Sequence, residues 1–355
     1  MILKRNLPAW NVAVKTTVKT KLHESARLSV APMMAWTDRH CRYFHRLMSQ
    51  ETLLYTEMVT APALVLGGAV RLLDFNAEEQ PLALQLGGSD PAELAKATAL
   101  GASYGYREIN LNLGCPSDRV QSGSFGAILM TQPDLVFSCL QEMQAASDVE
   151  VTVKCRIGVD DQEPRDILPK FIEMVQSSGI NRVIIHARKA WLNGLSPKEN
   201  RNIPPLDYSL VYQIKHEFPD LHISLNGGVI DIESARDALD LGMDGVMIGR
   251  AAYQTPFEIL SRADALIYGS KSGPDADVIA EQMISYIERH LQSGGRLHQV
   301  TRHMFGLFSG KPGARFWRRG LSALGAQKSA TAIDYQTLLK ELSKISDKRP
   351  KFQVK

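Results

Sequence analysis

Short apolar runs and longer amphipathic stretches alternate along most of this chain. The runs at 28–32, 53–57, 81–86, 108–113, 149–157, 182–187, 221–226 and 245–249 have the length of strands. Between them, 91–102, 134–146, 166–178 and 232–241 carry apolar residues at helical spacing. Eight strand–helix units over about 240 residues predict an α/β fold, a (β/α)8 TIM barrel, more than an open sheet. No Gly-x-Gly-x-x-Gly follows the first strand, which weighs against a dinucleotide-binding doubly wound sheet. The expected divisions are a basic extension at 1–25 with no assigned role, the barrel at 26–270, a smaller C-terminal helical domain at 271–340, and a basic tail at 341–355.

Barrel strands are buried on both faces and ordinarily read as apolar, so polar positions that recur on one face stand out. In strand five, Val151, Val153, Cys155 and Ile157 share one face and Thr152, Lys154 and Arg156 the other. In strand six, Ile184, His186 and Arg188 oppose Val183, Ile185 and Ala187. Asn110 aligns with Asn112, Ser224 aligns with Asn226, and Gln85 ends strand three. A lone His186 would be an ordinary hydrogen-bonded histidine, and Gln85 would merely satisfy a buried backbone group. Lys154 is harder to dismiss, because a buried lysine needs a partner. Their joint arrival at strand C-termini, where barrels place active sites, marks a site.

Two further features sharpen it. Asn226-Gly227-Gly228-Val229 follows strand seven and Met247-Ile248-Gly249-Arg250 ends strand eight. Glycines there let backbone N–H groups approach a phosphate, Arg250 adds a bidentate donor, and Asp231 is placed to cap the next helix. Cys115 lies in Leu111-Asn112-Leu113-Gly114-Cys115-Pro116-Ser117, a turn after strand four in which it cannot be core filler. Cys41, Cys139 and Cys155 read as packing. No C-x-x-C is present, so no metal site or redox pair is expected, and four scattered cysteines point to a reducing compartment, the cytoplasm.

Charge adds a partner. The net +3 hides +5 in residues 1–22 and +10 in residues 295–355, with about −12 between them. Arg302, Lys311, Arg315, Arg318 and Arg319 lie among Phe305, Phe308, Phe316 and Trp317, which suggests a polyanion held at that end. No apolar run reaches the roughly 18 residues of a membrane helix, and the basic N-terminus lacks the apolar stretch of a secretory signal. A monomer is expected.

Ala31-Pro32-Met33-Met34-Ala35-Trp36-Thr37-Asp38-Arg39 and Asn110–Ser117, followed by Gly123-Ser124-Phe125-Gly126-Ala127, resemble motifs of the tRNA-dihydrouridine synthases. So do Thr152–Gly158, His186-Ala187-Arg188, Asn226-Gly227-Gly228 and Ile248-Gly249-Arg250. Lys189–Arg201, Thr301–Phe308 and Lys311–Arg315 resemble subfamily A in particular. The resemblance runs in order over about residues 26–335. It implies an FMN-holding barrel, a helical tRNA-binding domain, and reduction of uridine at positions 20 and 20a of the tRNA D-loop with NADPH. Pro32, Met33, Met34, Gln85, Lys154, His186, Asn226, Gly227, Gly228, Gly249 and Arg250 would hold the flavin. Cys115 would protonate carbon 5 of uracil. Asn112, Arg188, Lys198, Arg201, Arg302, Lys311 and Arg315 would contact tRNA.

From the residues alone three other readings stay open. A small-pyrimidine flavin dehydrogenase would share the barrel but not need the basic end. A lyase would use Lys154 as an amine nucleophile. A non-catalytic tRNA-binding protein would explain the charge and leave the strand-end residues without a reason.

Overall fold

The computed structural model describes residues 23–117 and 125–347. Most of the basic extension, residues 348–355 of the tail, and Gly123 and Ser124 of the quoted motif lie outside the described residues. Eight strands form one parallel sheet: β1 (Leu28–Val30), β2 (Leu54–Thr60), β3 (Leu82–Gly87), β4 (Glu108–Leu113), β5 (Glu150–Arg156), β6 (Arg182–His186), β7 (His222–Asn226) and β8 (Gly245–Ile248). From β2 to β8 each strand pairs with its neighbour in sequence, and β1 pairs with β8. Leu53 N–H donates to Leu28 C=O (3.1 Å) and Val30 N–H to Leu53 C=O (3.0 Å), which closes the cylinder between β1 and β2. This is the expected barrel. Strand β2 runs to Thr60, beyond the apolar run that announced it, because of an irregularity between Tyr55 and Met58. There the Thr56 hydroxyl accepts the Gln85 N–H (3.0 Å).

The helices that wrap the barrel are α1 (Arg39–Arg46), α2 (Ala61–Val65), α3 (Pro91–Ser103), α4 (Pro133–Ala145), α5 (Pro164–Ser177), α6 (Tyr208–Glu217), α7 (Ile232–Asp240), α8 (Arg250–Gln254) and α9 (Pro256–Tyr268). Their starts are local chemistry. Asp38, Asp90, Asp207 and Asp231 each accept backbone N–H groups of a first turn, and Pro opens α3, α4, α5 and α9. The outward strand residues, such as Leu84, Ile109, Val153 and Ile185, are buried against these helices.

Inside the barrel the floor is ionic, which the apolar pattern did not announce. Glu108, Glu150 and Arg182 are the first residues of β4, β5 and β6. Arg182 pairs with Glu108 and, at 3.4 Å, with Glu150; Tyr55 donates its hydroxyl to Glu108 at 2.6 Å. His23 Nε2 lies 2.9 Å from Glu150. Burial opposes the Arg182 charge, yet the two carboxylates hold its pKa above the usual range. Burial likewise opposes the Glu150 charge, and Arg182 and His23 overcome it, lowering that pKa to about 2.

After α9 the chain forms α10 (Ala276–Gln292), α11 (Leu297–Thr301), α12 (Ala314–Ala326) and α13 (Ala332–Asp347). The aromatic residues read among the basic ones divide here. Phe308 and Trp317 are buried, ring centroids 5.1 Å apart, and Trp317 Nε1–H donates to Met304 C=O (2.8 Å). They are the core of this helical unit, not a surface for bases; Phe316 is exposed. A firm junction joins the unit to the barrel. Tyr43 stacks on Tyr286 (4.1 Å, 20°), and Asp38 takes Arg302 at 2.5 Å and His303 at 3.0 Å, while within the barrel Trp36 stacks on Tyr253 (4.4 Å, 17°) beside them.

Candidate active site

Strand register brings the polar residues to one mouth. Arg156, His186 and Asn226 lie in register at the C-terminal ends of β5, β6 and β7. Asn112 pairs with Lys154 two residues further in, and Gln85 pairs with Asn110 and Thr152 below them. Side chains in register on a parallel ladder share a face, so these groups point into the barrel together.

Cys115 sits where β4 becomes a turn, and two side chains hold that turn. Asn112 Oδ1 accepts the N–H groups of Gly114 (3.1 Å) and Cys115 (3.0 Å). Both oxygen lone pairs are thereby used, and Asn112 Nδ2 donates to Gln85 Oε1 (2.8 Å), so one N–H is what Asn112 has left for a ligand. From the other side Arg156 Nε donates to Gly114 C=O (2.9 Å), while its Nη1 donates to the carbonyls of Lys189 (2.8 Å) and Asn200 (3.0 Å). Arg156 thus fastens the cysteine turn to the long connection after β6, a role the strand pattern does not reveal. The thiol itself is partly exposed, 3.5 Å from Ser117 Oγ.

The mouth is rich in cations that lack acids. Lys154, Arg156, Arg188, Arg201 and Arg250 make no ion pair among the described residues. Burial, and then the charge of Arg156, bring the Lys154 pKa down to about 8. Burial brings Arg156 down to about 10 and, with four cations around it, keeps His186 neutral, its Nδ1 buried without a partner.

Gly227 and Gly228 follow β7 in left-handed conformations (φ 105° and 74°). A Cβ on Gly228 would stand 2.5 Å from Leu206 and 2.7 Å from the Tyr208 hydroxyl, and one on Gly227 3.1 Å from His186 Nε2. Tyr208 fixes this turn by donating to Gly227 C=O (2.6 Å), and Asn226 Nδ2 donates to Met247 C=O (2.7 Å). Gly249 lies beside Ala31 and Met33 of the first strand–helix loop, and Arg250 opens α8. In that loop Pro32 and Met33 are half-buried and Met34 is exposed, while Ala35 is held at φ 62° with its N–H on Glu57 Oε1 (2.5 Å). Glu57 is a second mouth residue that sequence reading passes over, because the irregularity in β2 hides its phase.

The residues expected to meet RNA are more scattered. Arg188 donates to Pro204 C=O, and Arg201 and Lys198 are exposed in the connection after β6. Arg302 is engaged with Asp38, Lys311 lies 3.6 Å over the Phe257 ring, and Arg315 is exposed on α12. Arg302 and Arg318 border a cleft of about 210 Å³ with Tyr253, His303 and Gly306, at the junction of barrel and helices.

An eight-stranded barrel with a thiol turn, a lysine and a glycine-lined, cation-rich mouth is the build of an oxidoreductase, and a family model described as Dihydrouridine synthase matches residues 29–344. The chain belongs to that family. It is 54% identical to a tRNA-dihydrouridine(20/20a) synthase of Shewanella oneidensis, covering 89% of this chain and 95% of that one. It is also 54% identical to the protein of the same description in Escherichia coli K12 (93% and 95%), and 52% identical to that of a Synechocystis species (88% and 93%). Among solved structures, a 2-naphthoyl-CoA reductase bound to 2-naphthoyl-CoA superposes with a TM-score of 0.52 at 12% identity, over 71% of this chain and 51% of that chain, which shows a shared barrel fold.

Proposed function

We propose that this protein reduces the 5,6 double bond of uridine at positions 20 and 20a of the tRNA D-loop, with FMN bound at the barrel mouth and NADPH as reductant. We place the activity in the cytoplasm and in a monomer, with the barrel (26–270) as the catalytic unit and the helices (271–340) as an RNA-binding unit. The observation that carries the reading is the Cys115 turn, held rigidly from two sides at the rim of a mouth lined by unpaired cations.

The mouth fits FMN on its own chemistry. Gly227 and Gly228 leave open backbone where any side chain would collide, Arg250 and Arg201 supply positive charge beside it, and the buried His186 Nδ1 lacks a partner. Lys154 would stand by the pyrimidine end of the ring, where a cation favours the anionic reduced form; Gln85 would meet the ring edge, with Pro32, Met33 and Met34 against its face. The chemistry FMN supplies when bound is a hydride, which no side chain can donate.

The chain's own residues account for the rest. A uridine in a tRNA loop leaves its stack at a cost of a few kcal/mol or less. The free N–H of Asn112 suits a uracil carbonyl. Cys115 Sγ would give its proton to carbon 5 in a mouth that also holds Lys154, Arg156 and Arg201. Arg188, Lys198, Arg302, Lys311 and Arg315 would grip the RNA backbone around the mouth.

The test is anaerobic. Protein reduced by NADPH is mixed with unmodified tRNA, and the return of oxidised flavin absorbance is followed. Prompt reoxidation by tRNA, absent with free uridine, is the expected result; a flavin that ignores tRNA overturns the substrate. Cys115→Ala keeps its flavin and loses about 10²–10⁴-fold in turnover, the range for a general acid. Wild-type turnover in that variant removes the thiol from the mechanism.

A further inference from the structure

The polar groups along the barrel axis form one continuous chain of hydrogen bonds from the ionic floor to the cysteine turn. The Thr152 hydroxyl donates to Glu108 Oε1 (2.7 Å), and Asn110 Nδ2 donates to Thr152 Oγ1 (2.8 Å). Gln85 Nε2 donates to Asn110 Oδ1 (2.8 Å), Asn112 Nδ2 donates to Gln85 Oε1 (2.8 Å), and Asn112 Oδ1 accepts from Gly114 and Cys115. All five side chains are buried.

This chain has a direction. At its top a backbone N–H can only donate, and at its bottom an ionised carboxylate can only accept. Glu108 is ion-paired with Arg182 at that end. One hydroxyl and three amides lie between these ends, so each has a single allowed orientation. Reversing any amide sets donor against donor on one side and oxygen against oxygen on the other, with no water to make good the loss.

We propose that Glu108, Thr152 and Asn110 are positioning residues for the reaction: the carboxylate at the barrel floor sets the orientation of the Gln85 and Asn112 amides and thereby holds the turn that presents Cys115. The proposal rests on the functional reading above and extends it to residues that touch neither substrate nor flavin. A barrel interior would otherwise be filled by branched apolar side chains, which pack well but carry no orientation. The hydrogen-bonded axis gives up that packing and in return fixes which way an amide at the mouth faces.

Replacing Glu108 would also strip Arg182 of its nearest partner, so Thr152 is the place to cut. Thr152→Val keeps the volume and the floor intact and removes the one hydroxyl. Thr152→Ser restores it. Three quantities are compared in wild type, T152V and T152S: hydrogen exchange of the peptide carrying the Gly114 and Cys115 amides, bound flavin, and kcat and KM with unmodified tRNA.

In T152V, exchange at those amides rises and kcat falls, each by about ten-fold, the worth of one misdirected buried hydrogen bond, and any change in KM or flavin content is smaller, because Gln85 and Asn112 stay in place and lose only their orientation. T152S returns both quantities to near wild type. The proposal is overturned if T152V exchanges and turns over like wild type. It is equally overturned if exchange rises with kcat unchanged, or if flavin is lost instead. A wild-type protein silent toward tRNA sinks the functional reading alone, because the exchange contrast between T152V and T152S still decides whether the chain holds the turn.

Discussion

The two ends of the barrel interior hold similar numbers of charges and treat them in opposite ways. At the floor, Arg182 is shared between Glu108 and Glu150, and His23 closes the group, so each charge has a partner. At the mouth, Lys154, Arg156, Arg188, Arg201 and Arg250 have no carboxylate among the described residues and lean on carbonyls or on nothing. The pKa directions record the contrast. Arg182 is pushed up by its carboxylates, whereas Lys154 and Arg156 are pulled down to about 8 and about 10 by burial, and in Lys154 by Arg156 as well. Paired charge organises the protein itself. Unpaired charge of one sign is a demand for an anion from outside, which is what a phosphate-bearing cofactor and an RNA backbone supply.

Three measurements break or sharpen this contrast. The largest effect belongs to the floor. Arg182→Met leaves two carboxylates buried without their cation, and stability falls by about 3–5 kcal/mol; Arg250→Met at the mouth changes it by about 0.5 kcal/mol or less. Urea unfolding of the two variants gives the comparison directly, and equal losses would erase the distinction.

The next effect is alkaline. The Lys154 pKa is depressed in the folded protein, so between about pH 8 and the unfolded value near 10.4 the unfolded chain binds more protons. Stability therefore gains up to about 1.4 kcal/mol per pH unit across that window, and the gain is absent in Lys154→Met. Unfolding midpoints at pH 7.5, 9 and 10 would show it, to the order of magnitude such a window permits. The smallest effect concerns RNA. Binding weakens with salt, and Arg188→Gln at the mouth lowers the slope of log affinity against log salt by about one contact, with no change in which tRNA is preferred. A slope untouched by that change would take Arg188 out of the phosphate contacts.

The strands are legible in the sequence because eight apolar runs are bounded by polar punctuation, and the mouth residues are legible because they interrupt those runs at a period of two. Lys154, His186 and Asn226 follow from that alone, and Asp231 follows from its cap position, its carboxylate accepting Ser234 N–H at the start of α7. The floor is not legible in the same way. Glu108, Glu150 and Arg182 open their strands, where a charged residue normally reads as the end of a loop. They meet across 74 and 32 residues only when the cylinder closes. One signal was available: each shares the phase of the polar positions above it, as Glu108 does with Asn110 and Asn112. The helical unit shows the opposite error. Phe308 and Trp317 stand among basic residues in the sequence, yet both pack inward against each other, Phe308 from the turn before α12 and Trp317 from α12 itself, so proximity along the chain misleads about proximity to a ligand.

Asp38 deserves a last consequence. Its carboxylate caps α1 by accepting the N–H groups of His40 and Cys41 at Oδ1, and the same carboxylate takes Arg302 and His303 from the helical unit. Burial works against that charge, but the hydrogen bond and charge of His303 hold its pKa well below the usual carboxylate range. With Tyr43 laid on Tyr286 beside it, barrel and helices are set at a fixed gape, more a calliper than a pair of jaws. A calliper selects by measuring. If RNA binds as proposed above, that gape sets how far the target base can stand from the backbone contacts that hold it.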